Sequence, residues 1–205
     1  MKRYLTVLSI AGSDSCGGAG IQADTKTCCA LGVYAMTAIT AVTAQNTCGV
    51  SAIMGISPEV VKAQIDAVFA DIGVDAVKIG MLFNADIARA VAASLRQHKP
   101  RHIVLDPVMI STSGSQLIDN DAIEVLLGEL MPISSIITPN RHEAERIASM
   151  PIACAADIEP AARKILAAGA KAVLMKGGHF SGDEMTDWLY LQGVDRPYVF
   201  SGPFC

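Results

Sequence analysis

The sequence predicts an α/β domain built on a mostly parallel sheet, and three observations carry that expectation. Apolar, β-branched runs alternate with helix-compatible stretches along the whole chain, the pattern of strands joined by crossover helices. Hydrophobic residues make up 51% of the 205 residues and charged residues only 18%, enough apolar material for a sheet covered on both faces. Gly, Asn and isolated acids gather just after the strand candidates, where open α/β sheets bind their ligands. The length fits a single domain spanning residues 1–205.

The elements follow in order. Leu5–Ala11 is an apolar run suited to a first strand, followed by a Gly/Ser loop. Ile21–Leu31 is helix-compatible and closes at Gly32, a natural terminating residue. Val33–Ala44 is β-branched and apolar, as a fully buried strand would be. Ser57-Pro58-Glu59 is a helix start, with an N-cap serine, proline at the first position and an acid in the first turn. Val61, Ile65, Val68 and Phe69 then share one face.

Asp75–Met81 is the next strand. Ile87, Val91 and Leu95 mark a helix ending in Arg96 and Lys99 before Pro100. His102–Leu105 is a strand closed by Asp106-Pro107. A helix over Asp121–Leu130 precedes a strand at Ser135–Thr138, and further helices lie at Arg141–Ala148 and Ile158–Ala168. Lys171–Met175 is a strand, and Trp188–Leu191 with Tyr198–Ser201 form a final hairpin pair.

Bulk properties exclude several classes. The net charge is −4 with no Lys/Arg block, so no nucleic-acid surface is supplied. An aromatic content of 5% also argues against base stacking. The six cysteines, at 16, 28, 29, 48, 154 and 205, contain no C-x-x-C pair. They read as free thiols of a reducing, cytoplasmic setting. Met1-Lys2-Arg3 with Tyr4–Ala11 mimics a signal peptide, but the run is short and passes into Gly12-Ser13-Asp14 with no A-x-A-like site. The uncharged stretch from Thr27 to Pro58 has recurrent Thr, Gly32 and Gln45-Asn46. Two buried strands with a turn explain it better than a membrane span.

The segments after the strands carry the chemistry. Gly12–Gly20 is too glycine-rich to be only a turn, and the helix behind it offers backbone N–H groups. A Walker A loop fails, because Gly18-Ala19 stands where Lys-Ser/Thr belongs. Gly18–Ala23 matches G-x-G-x-x-A, yet no acid occurs between Asp24 and Glu59 to hold a ribose about 20 residues on. A substrate loop closing over a small polar ligand is favoured over a structural loop. Asp24 is either a helix-dipole acid or a pocket contact.

Gln45 follows an apolar strand, where an amide suits a heteroaromatic ring, or else serves a local turn. Asp106 ends a strand and can hold Mg²⁺ or cap a turn. Asn140 and Glu143 have capping-box spacing, which would also orient both beside a metal–phosphate group. Lys176, in Lys176-Gly177-Gly178-His179, is either a phosphate-neutralising lysine or a surface one, and His179 alone carries no role.

Together these segments resemble the hydroxymethylpyrimidine/phosphomethylpyrimidine kinases of thiamine biosynthesis, from Met1 to Pro203. The likeness is carried by AGSDSCGGAGIQAD (11–24), AVTAQNT (41–47), VKIGML (77–82), LDPVM (105–109), ITPNxxEAE (137–145) and MKGGH (175–179). Vitamin-B6 kinases of the same ribokinase-like superfamily share several of these, while the first two point to the pyrimidine enzymes. The resemblance implies a ribokinase-like three-layer α/β/α fold with a mostly parallel sheet, and a homodimer. It implies transfer of the ATP γ-phosphoryl group to a pyrimidine hydroxymethyl oxygen and then to the resulting monophosphate, with Mg²⁺ as cofactor. By the same resemblance Gln45 grips the pyrimidine and Gly12, Asp24, Val42 and Met81 line its pocket. Asp106, Asn140, Glu143 and Lys176 surround the ATP phosphates, with Asp106 and Glu143 on the metal.

One departure stands out. The family's Gly-Thr-Gly-Cys stretch, which supplies an anion hole and a cysteine in place of the catalytic base, has no counterpart here, and Cys205 does not match it. A shortened or frameshifted member lacking the C-terminal helices is therefore expected, with its catalytic residues unassigned and turnover low, since an anion hole is worth about 10²–10³ in rate. The competing expectations are a pyridoxal kinase, a catalytically dead pyrimidine-binding protein and a nicotinamide-dependent enzyme.

Overall fold

The structure, a computed structural model, describes residues 4–109, 119–177 and 184–203. One nine-stranded sheet runs through it in the order β3-β2-β1-β4-β5-β6-β7-β8-β9. Its strands are β1 (Thr6–Asp14), β2 (Tyr34–Asn46), β3 (Gly49–Gly55), β4 (Ala76–Ile79), β5 (His102–Leu105), β6 (Ile136–Ile137), β7 (Ala172–Met175), β8 (Glu184–Leu191) and β9 (Tyr198–Pro203). Strands β2, β1, β4, β5, β6 and β7 are mutually parallel. The antiparallel β3 and the β8–β9 hairpin close the two ends. The helices are α1 (Gly20–Ala30), α2 (Pro58–Asp71), α3 (Ala85–His98), α4 (Asn120–Val125), α5 (Arg141–Ala148) and α6 (Ile158–Ala167).

Local chemistry explains most boundaries. Ser57 caps α2 by accepting from the Val60 N–H, with Pro58 in the first turn. Asn84 and Asp119 cap α3 and α4 in the same way. Gly32, just beyond α1, has φ +71, a conformation that costs glycine nothing. Along α3, the buried Ile87, Val91 and Leu95 face the core at helical spacing. Ser9 and Lys78 are paired in register on β1 and β4, and both meet Asp24 of α1. The alternate residues Leu8, Ile10, Val77 and Ile79, on the opposite face, are buried in the core.

Four expectations need correction. β1 continues to Asp14 instead of stopping at Ala11, because Ser13 and Asp14 still pair with Val42 and Thr43 of β2. β2 is not buried throughout, since Tyr34, Val42 and Ala44 are exposed. Its partner β3 is an edge strand with Ser51–Met54 exposed, so the uncharged stretch is not two buried strands. The helix expected over Asp121–Leu130 is α-helical only to Val125, then π-helical over Leu126–Leu130 and 3₁₀ over Met131–Ile133. Among the described residues no helix is long and apolar enough to cross a membrane. His179 and Cys205 lie outside the described residues.

Candidate active site

Strand order decides which tips meet. β1 is the third strand of the sheet, with β2 on one side and β4, then β5, on the other. The chain moves from β1 to one side and returns to the other, which opens a crevice at the carboxyl edge. A cavity of about 330 Å³ lies there. β2 contributes Thr43 and Gln45, β1 contributes Ala11–Asp14, and α1 contributes Ala23 and Asp24. Lys78, Gly80 and Met81 come from β4 and its tip, and Asp106 and Val108 from beyond β5.

Two glycines make this crevice. A Cβ on Gly12 would stand 2.5 Å from the Met81 methyl, so residue 12 must be small for Met81 to lie across the β1 tip. Gly20 has φ +56, and a Cβ there would be 2.2 Å from the Gly12 carbonyl oxygen. That close approach lets α1 start directly against β1.

The loop between β1 and α1 is organised by an acid. Asp14, only 3% exposed, accepts from the backbone N–H groups of Cys16, Gly18 and Ala19 at 2.8–2.9 Å. Burial would raise its pKa, but the Cys16 thiol and these N–H groups outweigh that and hold it below the ordinary aspartate range. The N–H groups of Gly18 and Ala19 are therefore engaged within the loop.

Gln45 is not the turn amide. That part is played by Asn46, whose Oδ1 accepts from the N–H groups of Cys48 and Gly49. The Gln45 backbone is held by Ser15, which accepts from its N–H at 2.8 Å and donates to its carbonyl at 2.7 Å. The Gln45 side chain lines the cavity, with its Oε1 accepting from the Thr43 hydroxyl at 3.2 Å. An amide so placed has donors and an acceptor to offer a ligand.

Asp24 is not a helix-dipole acid, because the first turn of α1 contains none. It accepts from the Ser9 hydroxyl at 2.5 Å and from Lys78 Nζ at 3.0 Å, and this ion pair lines the cavity.

Past Asp106 the tips of β5, β6 and β7 carry a second cluster. Asp106 Oδ1 accepts from Lys176 Nζ at 2.9 Å and from the Thr138 hydroxyl at 3.3 Å. Asn140 caps α5 in a reciprocal box: its side chain accepts from the Glu143 N–H at 3.0 Å, and Glu143 Oε2 accepts from the Asn140 N–H at 2.8 Å. Glu143 is 3% exposed. Burial pushes its pKa up to about 7, against the lowering effect of the Asn140 N–H and Lys176, while Asp106 reinforces the rise. Among the described residues no three His, Cys, Asp or Glu side chains converge to cage a metal. Asp106 and Glu143 instead offer the one or two carboxylates that Mg²⁺ uses when phosphates and water fill its remaining positions. Glu143 is buried beside a second acid, and Lys176 offsets its burial only in part, so a divalent ion there would supply the remaining compensating charge.

Of the residues singled out from sequence, Gly12, Asp24, Gln45, Met81 and Asp106 line the cavity. Asn140, Glu143 and Lys176 stand beyond it, linked through the Lys176–Asp106 pair. Val42 is the exception. It pairs with Met54 on β3 and is 42% exposed, because the alternation that turns Thr43 inward turns Val42 outward. The reading from sequence passed over Lys78, Asp14, Thr43 and Val108. For Lys78 a signal existed: a charge inside an otherwise apolar strand.

Comparison with known proteins decides the family. Residues 14–202 match the phosphomethylpyrimidine kinase family. The chain belongs to that family. It is 47% identical over 201 residues to the hydroxymethylpyrimidine/phosphomethylpyrimidine kinase of Salmonella typhimurium, covering 97% of this chain and 74% of that one. A thiamine biosynthesis bifunctional protein of Geobacter sulfurreducens is 49% identical over 185 residues, which are 90% of this chain but only 38% of that longer protein.

Among solved structures, the phosphomethylpyrimidine kinase of Clostridium difficile 630 superposes with a TM-score of 0.87 at 46% identity, covering 96% of this chain and 84% of the other. An ADP complex of Bacillus subtilis pyridoxal kinase superposes with a TM-score of 0.88 at 34% identity, covering 98% and 76%. The fold of this phosphomethylpyrimidine kinase family member is thus the ribokinase-like α/β fold with a mostly parallel sheet.

Proposed function

We propose that this chain binds 4-amino-5-hydroxymethyl-2-methylpyrimidine and its monophosphate, and positions each for phosphorylation by ATP. The whole enzyme's turnover is part of the proposal. One observation supports it most: Gln45 and Asp106 line the same cavity, with Lys176 paired to Asp106 on the side away from Gln45. That order suits a ring held by an amide at one end, and a reacting oxygen at the end where phosphate charge is managed.

Phosphoryl transfer asks a protein mainly for positioning and charge stabilisation. Gln45 would hold ring nitrogen and amino groups, while Met81 and Val108 exclude water from the ring faces. Lys176 would neutralise phosphate oxygens, which requires its ammonium to leave or share Asp106. Asp106 and Glu143 would hold Mg²⁺, which supplies charge neutralisation on the triphosphate. Asn140 fixes Glu143 through the capping box.

Titration calorimetry tests this reading. Micromolar binding of the pyrimidine together with Mg²⁺-dependent ATP binding is expected. Tighter binding of pyridoxal than of the pyrimidine would overturn it in favour of the vitamin-B6 reading. A coupled assay for ATP consumption with each alcohol reports the reaction itself.

The proposal extends to one domain over residues 1–205, a homodimer and a cytoplasmic location. Val42, Ile53 and Met54 are exposed on the edge hairpin, and a second copy would cover them. Cys16, Cys28, Cys29, Cys48 and Cys154 are free, a state that a reducing compartment preserves.

A further inference from the structure

Lys78 stands in the middle of a strand, where a charge is costly unless it has work. Its ammonium reaches Asp24 at 3.0 Å and lies beside Gly80. A Cβ on Gly80 would come within 3.0 Å of Nζ, so glycine there leaves the ammonium room at the strand tip. Among the described residues, Lys78 is the one cation lining the cavity.

The acids around it are already partnered. Asp14 is bonded to the loop's N–H groups, Asp106 to Lys176, and Asp24 to Ser9 and Lys78. A neutral alcohol entering this cavity disturbs none of these pairs. A phosphate monoester brings close to two negative charges at neutral pH, between Asp24 and Asp106, and repulsion would expel it unless a cation answers. Position also matters. Across the sheet β4 lies between β1 and β5, so Lys78 sits on the Asp106 side of the cavity, away from Gln45, where the acceptor group must point.

We propose that Lys78 is the residue that admits the phosphorylated acceptor: paired with Asp24 when the acceptor is the alcohol, and turned to the acceptor's phosphate when it is the monophosphate. The ammonium has three donors on a flexible stem, so it can keep Asp24 and take a phosphate oxygen together. This rests on the pyrimidine-kinase reading and names how one site accepts a neutral and a charged substrate. A purely structural lysine, tying α1 to β4, would support both acceptors equally.

The test is equilibrium binding of the pyrimidine alcohol and of its monophosphate, each measured separately. Lys78→Gln keeps a donor for Asp24 but removes the charge. It should lower monophosphate affinity about 10- to 100-fold, with a change of no more than about 3-fold for the alcohol. Lys78→Arg should restore most of the monophosphate affinity. On the unmodified chain, rising ionic strength should weaken the monophosphate far more than the alcohol. Equal losses for the two ligands in Lys78→Gln, or equal salt dependence in the unmodified chain should the variant not fold, would overturn the assignment. An unmodified chain that binds neither pyrimidine sinks the kinase reading itself, whereas one that binds both with equal salt dependence sinks only the role of Lys78.

Discussion

Lys176 Nζ lies 2.9 Å from Asp106 Oδ1, joining the tips of β5 and β7 across the intervening β6. The two residues are 70 positions apart in sequence, so only the parallel stacking of three strand ends brings them together. The pair continues the line that begins at Gln45 on β2 and passes through Lys78 on β4.

Gln45→Ala should weaken pyrimidine binding about 10- to 100-fold, because a ring amine and nitrogen lose their hydrogen-bond partner. ATP binding should change by less than about 3-fold, since the residue lies at the far end of the cavity. Calorimetry with each ligand checks this, and equal losses would contradict the division of the site.

Lys176→Met should do the reverse. Asp106 loses its cation and ATP loses a neutralising charge, so Mg²⁺-ATP affinity should fall by roughly 10-fold or more, with pyrimidine affinity largely kept. Fluorescent nucleotide titration reads the first quantity and calorimetry the second.

Gly12→Ala and Gly20→Ala should separate site from fold. At Gly12 the clash is with the end of a flexible Met81 side chain, which can move into the cavity. Thermal stability should then hold while pyrimidine affinity drops. At Gly20 a positive φ and a carbonyl oxygen 2.2 Å from the new Cβ leave no such relief. That variant should lose about 2–4 kcal/mol, seen as a lowered Tm.

Glu143 should make the metal-free protein lose stability as pH rises. Its folded pKa is pushed up to about 7 from an ordinary value of 4.5. The folded state therefore holds a proton that the unfolded chain has released. The contribution is fully present below about pH 4.5 and is lost as pH rises through about 7. Urea unfolding with a chelator present, at several pH values, should show this slope. Glu143→Gln should remove it and be the more stable protein at pH 8, by no more than about 3 kcal/mol.

Much of the fold could be read directly. His102–Leu105 and Arg141–Ala148 have the bounds expected of them, because a Pro-bounded strand and a capping box are local chemistry. The α2 start at Ser57-Pro58 is legible for the same reason. Misreadings arose where burial depends on distant neighbours. Val42 has the composition of a pocket residue, yet its exposure follows from the place of β2 beside an edge strand. Gln45 and Asn46 are adjacent amides, and composition cannot say which serves the turn. The Asn46 side chain bonds to Cys48 and Gly49, leaving Gln45 to the cavity.

The amino-acid order by itself determined the alternation of strands and helices, the caps, the family likeness and most residues at the strand tips, since these depend on contacts within a few residues or on motif identity. Tertiary structure alone decided that Asp14 closes on its own loop, that Lys78 answers Asp24 and that Glu143 is buried beside Asp106 and Lys176. Charge pairing and desolvation act through space, and the distances that govern them exist only once the sheet has set its strand order.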